Sequence, residues 1–77
     1  KQLWNKQEGK CALTNFPMSY QQSNGKRNPY SLSIDKIDPN KGYEVGNVQF
    51  VCFAANMMKG ELSLSELKKF CQAIINN

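Results

Sequence analysis

Residues 30–52 constrain this chain more than any other part of it. Two β-forming runs, YSLSIDKID at 30–38 and GNVQFVC at 46–52, flank the segment DPNKGY at 38–43. Pro39 fixes its own φ, and Asn40 and Gly42 accept left-handed backbone, so the chain can reverse between the runs. In the first run Leu32, Ile34 and Lys36 alternate with Ser31, Ser33, Asp35 and Ile37, the period of a strand. Val48, Phe50 and Val51 make the second run equally β-prone. FAANMMK at 53–59 then loses the period of two and gains helix formers, which predicts a helix beginning near Cys52. A long-looped hairpin feeding a helix is an α+β arrangement.

The rest of the chain has to complete a core around that unit. With 77 residues it reads as one domain, 1–77, and a domain of this size buries only about 60% of its unfolded surface. Leu3, Trp4 and Gln7 predict a short opening helix ended by Gly9, with Trp4 in the core. KCALT at 10–14 reads as a brief extended piece with Cys11 and Leu13 on one side. QQSNGKRNP at 21–29 has no apolar residue and reads as an exposed loop carrying Lys26 and Arg27 at its tip. Near the end, Ser63 and Glu66 match the S-x-x-E capping box of a helix start. Leu67, Phe70, Cys71 and Ile74 follow at helical spacing, so this stripe is expected to face the core while Lys68, Lys69 and Gln72 face water. The fold expected is therefore a hairpin and helix with flanking N- and C-terminal helices. A first residue Lys1 suggests a piece of a larger protein, whose other domains, or a second copy of the chain, would be further partners.

Three cysteines, an odd number, argue against a disulfide scaffold. With no secretory segment or long apolar run, the expectation is an intracellular, reducing compartment and no membrane partner. Ten Lys and Arg against six Asp and Glu give a net charge of +4, which favours polyanions, because a cation brought to a phosphate releases condensed counterions. DNA or RNA is the kind of partner such a charge suits, and Lys26 and Arg27 at the loop tip are candidate phosphate contacts. Asp35 on the first strand and Asn56 on the following helix can offer two oxygens to one hard cation while leaving positions for water and phosphate. That pairing suits phosphodiester hydrolysis.

These residues also carry a resemblance. IDKID at 34–38, GYEVGNVQFVC at 42–52, Asn56 and Lys59 resemble the HNH endonuclease family, the ββα-metal nucleases, over about residues 10–59. The resemblance implies a treble-clef-like hairpin and helix, and metal-dependent cleavage of DNA with Mg²⁺ or Mn²⁺ as cofactor. It implies a catalytic set of Asp35, Lys36, Asn47 and Asn56, and DNA as the partner, held at Lys36, Lys59, Lys26, Arg27 and Lys41. Asp35 and Asn56 hold the metal, Asn47 orients the loop through backbone bonds, and Lys36 falls where the family has its histidine. The chain departs from the family in having no histidine at all. Lysine is protonated near neutral pH unless desolvated, so Lys36 does not simply replace a base. Three readings stay open: water attacks with Asp38 or solvent as base, Lys36 binds phosphate and stabilises developing charge, or the module binds DNA without cutting. The family's zinc-binding C-x-x-C pairs are also halved, to Cys11 with Thr14 and Cys52 with Ala55, so no structural zinc is expected. On this reading Asp35→Ala should stop cutting with little loss of folding.

Overall fold

A computed structural model describes residues 2–19 and 28–77. In chain order the elements are α1 (Gln2–Lys6), β1 (Leu32–Lys36), β2 (Val48–Cys52), α2 (Phe53–Lys59) and α3 (Leu64–Asn76). This is a small α+β domain. The strands pair antiparallel in a two-stranded sheet, with Leu32 opposite Cys52, Ile34 opposite Phe50 and Lys36 opposite Val48. Among the described residues no helix is long and apolar enough to cross a membrane. Lys26 and Arg27 lie outside the described residues.

A bare two-stranded sheet is marginal in water and needs something packed on it. Here β2 runs straight into α2, which folds back over the hairpin. The first N–H groups of α2 are taken by the segment before β1: Phe53 N–H donates to Ser31 O at 2.8 Å and Ala54 N–H to Pro29 O at 3.0 Å. The outer edge of β2 is covered from the other end of the chain. Gln7 behaves there like a piece of a third strand, its Nε2 donating to Phe50 O at 2.9 Å and its Oε1 accepting from Phe50 N–H at 3.0 Å. An edge closed in this way is not open to pairing with another chain.

α1 ends as expected. Gly9 has φ +69°, and a Cβ there would stand 2.9 Å from the Trp4 ring, so both the backbone and the packing call for glycine. Trp4 is half-buried rather than deep in the core. Residues 10–14 do not form the extended piece read from the sequence. Cys11 O accepts from Asn15 N–H at 2.8 Å, and Asn15 takes φ +66°, so the chain turns here, with Cys11 turned inward.

Among the described residues the buried apolar ones are Cys11, Val51, Cys52, Ala55 and Leu67, a thin core. Ile34 is half exposed, because the face of β1 that meets α2 carries Ser33 and Asp35. One expectation about the core is corrected. In α3 the capping box is present, with Ser63 Oγ accepting from Glu66 N–H at 3.2 Å and Glu66 Oε1 accepting from Ser63 N–H at 3.1 Å. Its apolar stripe, however, does not close the core. Leu67 is buried, Cys71 is intermediate, and Phe70 and Ile74 are exposed, because the face turned towards α2 carries Leu64, Leu67, Lys68 and Cys71 instead.

Candidate functional site

A strand repeats its face every two residues and a helix nearly every three or four. Ser33 and Asp35 therefore share one face of β1, Asn56 and Lys59 share one face of α2, and the two pairs meet. Asn56 Nδ2 donates to Ser33 Oγ at 2.6 Å and to Ile34 O at 3.1 Å. One turn on, Lys59 Nζ donates to Asp35 Oδ1 at 2.9 Å and to Lys36 O at 2.8 Å. The second oxygen of Asp35 accepts from Gln49 Nε2 at 2.9 Å, the residue opposite it on β2.

The Asp35–Lys59 ion pair is buried, with the side chains 4% and 1% exposed. This corrects the expectation for Lys59. Its ammonium is buried between two acceptors inside the domain and does not face a phosphate; it braces α2 against β1. Lys59 and Val51 are the largest fully buried side chains among the described residues, so an ion pair occupies space that an aliphatic side chain fills in a larger domain. Every buried side-chain polar atom described has a hydrogen-bond partner, which is the condition under which such a pair is tolerated.

Asn47 sits at the foot of β2, 7% exposed, and organises the loop between the strands, residues 37–47. Its Oδ1 accepts from Asp38 N–H at 2.9 Å, while its Nδ2 donates to Gly42 O at 2.8 Å and Asp38 O at 3.2 Å. One amide thus closes the loop from three sides. Asp38 spends its own carboxylate on the Asn40 N–H, at 2.9 Å, in a local turn. Asn47→Ala removes all three bonds and is expected to lose about 2–3 kcal/mol. Hydrogen exchange checks this, with protection lost first at the Asp38 amide; unchanged protection would show that the loop holds itself.

Above this brace lies a hollow of about 130 Å³ lined by Asp35, Lys36, Pro39, Tyr43, Asn56, Gly60 and Glu61. Asp35, Lys36 and Asn56, three of the four residues of the expected catalytic set, line it, and Asn47 does not. The structure adds two residues that sequence reading missed, Glu61 and Tyr43. Gly60 follows α2 with φ +53° and so turns the chain that carries Glu61 to the rim; the glycine after a helix was the available signal. Lys36 Nζ lies 5.3 Å from the centre of the Tyr43 ring, a cation–π distance. Lys41 is exposed on the same loop.

A larger hollow of about 310 Å³ opens between the 13–16 turn, α2 and α3, but its walls are mainly apolar, with Thr14 and Lys68 as the polar exceptions. Nothing in it converges as the small hollow's groups do.

Cys11 and Cys52 lie together in the core with Val51 and Ala55. Cys52 N–H donates to Cys11 Sγ at 3.2 Å. Burial opposes ionisation of Cys11, but hydrogen bonds from the Thr14 hydroxyl and from the backbone of Cys52, Thr14 and Leu13 outweigh it and hold this thiol below its ordinary value. Burial and the neighbouring Cys11 push Cys52 the other way. Thr14 serves as a hydrogen-bonding partner of Cys11, and two thiols with one threonine hydroxyl do not fit a closed four-ligand zinc site.

No protein-family model matches this chain, and no curated protein or solved structure is significantly similar to it.

Proposed function

We propose that this chain is a metal-dependent endonuclease domain of the HNH, or ββα-metal, type that hydrolyses DNA phosphodiester bonds. The observation that carries the reading is the convergence of Asp35, Lys36, Asn56 and Glu61 on one hollow. The element order supports the finer fold assignment, with Asp35 on the first strand, Asn47 just before the second and Asn56 in the helix that follows.

The donor chemistry fits a hard divalent cation such as Mg²⁺ or Mn²⁺. Each Asp35 oxygen accepts one hydrogen bond and keeps a second acceptor position, and the Asn56 carbonyl oxygen makes no hydrogen bond among the described residues. Asp35 and Asn56 would hold the cation. Bound there, it supplies polarisation of the phosphoryl oxygen and stabilisation of the leaving oxygen.

The chain's own groups perform the remaining tasks. Gln49 and Lys59 fix the orientation of Asp35, so its carboxylate needs no rearrangement when substrate arrives. Lys36, at the rim, neutralises the phosphate. Glu61 lines the hollow without an ion-pair partner among the described residues, and it takes the proton of the attacking water, the task for which the sequence has no histidine.

The contacts of Asp35 also favour a second reading. Lys59 already neutralises this carboxylate, which weakens its attraction for a metal, and a module so braced would bind DNA through its basic surface without cutting.

Nicking of supercoiled plasmid by the purified domain, with Mg²⁺ or Mn²⁺ and with a chelator, separates the two. Metal-dependent nicking is expected, slowed at least about tenfold in Lys36→Ala. Salt-sensitive DNA binding without nicking would establish the second reading, and neither activity would overturn both.

A further inference from the structure

Tyr43 is the feature of the hollow that hydrolysis does not use. Its side chain is 71% exposed, the most open aromatic residue among those described. Val45, two residues on, is fully exposed as well. The loop that carries them is not slack. Asn47 holds Gly42, the residue before Tyr43, through its carbonyl, and Glu44 O, the residue after, accepts from Asn47 N–H at 2.9 Å. The ring is thus presented from a braced backbone. Lys36 covers one side of it at 5.3 Å, and the exposure of the side chain leaves the opposite face open.

A rigid, open aromatic face beside a cation, on the rim of a hollow with phosphate-handling groups, has the chemistry of a nucleotide subsite. The cation takes the phosphate and the ring takes a base. A base inside a duplex has both faces covered by its neighbours, so an unpaired base is the one that can use this ring. We propose that Tyr43 is a stacking platform for an unpaired base adjoining the phosphate held at Lys36, and that the domain prefers single-stranded or locally unpaired nucleic acid over intact duplex. The proposal rests on the nucleic-acid reading above and names the substrate class for it.

The test is fluorescence anisotropy of a labelled single-stranded oligonucleotide and of the blunt duplex of the same sequence, in chelator so that nothing is cut. The wild type, Tyr43→Ala, Tyr43→Phe and Lys36→Ala are compared over a range of salt. Wild type is expected to bind the single strand more tightly than the duplex. Tyr43→Ala should lose roughly tenfold in single-strand affinity, the size of one base–aromatic stack, with duplex binding and the salt slope unchanged. Tyr43→Phe should keep the wild-type preference, since a stack needs the ring and not the hydroxyl. Lys36→Ala should instead reduce the single-strand salt slope by about 0.7, the mark of one lost phosphate contact. Equal binding of both forms by the wild type, or a Tyr43→Ala variant with wild-type affinity, overturns the platform and leaves the nuclease reading to the plasmid assay. Binding of neither form overturns the platform together with the nucleic-acid reading.

Discussion

Lys59→Ala is expected to cost about 3–5 kcal/mol of folding stability, the usual loss when one partner of a buried ion pair is removed. The substitution leaves the Asp35 carboxylate 4% exposed with Gln49 as its remaining partner, and it strips Lys36 O of the donor it has from Nζ. It also empties the space of one of the two largest fully buried side chains in the described domain. Domains have about 5–15 kcal/mol in total, and one with so few buried apolar residues is expected near the low end, so much of the population unfolds. Thermal or urea denaturation followed by circular dichroism reads the effect, as a midpoint lowered by roughly 15 °C or more, or as no folded baseline. Removing both charges in Asp35→Asn/Lys59→Met is the control. Neutral side chains of similar volume avoid the uncompensated charge, and this variant should fall well short of the single-mutant loss. A Lys59→Ala domain as stable as wild type would mean that the ion pair is not formed in solution.

Asp35→Ala should then fail twice, in folding and in cutting. The sequence alone suggested a catalytic carboxylate whose loss spares the fold. The structure changes that expectation, because truncation leaves the Lys59 ammonium buried 1% exposed with no countercharge, again about 3–5 kcal/mol. An inactive Asp35→Ala protein would therefore say little about chemistry. The informative variant is again Asp35→Asn/Lys59→Met, which has no unpaired charge and lacks the carboxylate. If Asp35 serves the reaction, this folded variant loses metal-dependent nicking by on the order of a hundredfold or more. Nicking at the wild-type rate would remove Asp35 from the catalytic site and leave it as half of a brace.

How far each feature could be read from the sequence follows the range of the interaction behind it. The Ser63 and Glu66 cap, the glycine stop at Gly9 and the reversal between the strands depend on residues within a few positions of one another, and all are in the structure. Asn47 is another such case, because its three side-chain bonds go to backbone within nine residues. Around Cys11 expectation and structure part, because alternation over five residues cannot tell a strand from a turn, and the chain turns there, with a positive φ at Asn15. The stripe from Leu67 to Ile74 has helical spacing and does form a helix, but spacing says nothing of how much of the helix finds a neighbour. Only Leu67 does so fully.

The candidate site divides in the same way. Asp35, Lys36 and Asn56 could be singled out from residue type and spacing, since a strand and a helix each present fixed faces. Whether a given charge on such a face meets water, phosphate or an opposite charge depends on which element packs over it. Lys59 in sequence is a basic residue one turn beyond Asn56; in the fold it is the most deeply buried cation among the described residues, bound to Asp35 twenty-four residues away. Glu61 and Tyr43 reach the hollow only because Gly60 turns the chain at one end and Asn47 closes the loop at the other. By itself, then, the sequence determined the local pieces: a hairpin, a helix after it, a capped final helix and a basic surface charge. The tertiary structure decided which polar side chains became internal braces and which stayed at the hollow, because burial and charge pairing are set by contacts between elements that no local spacing encodes.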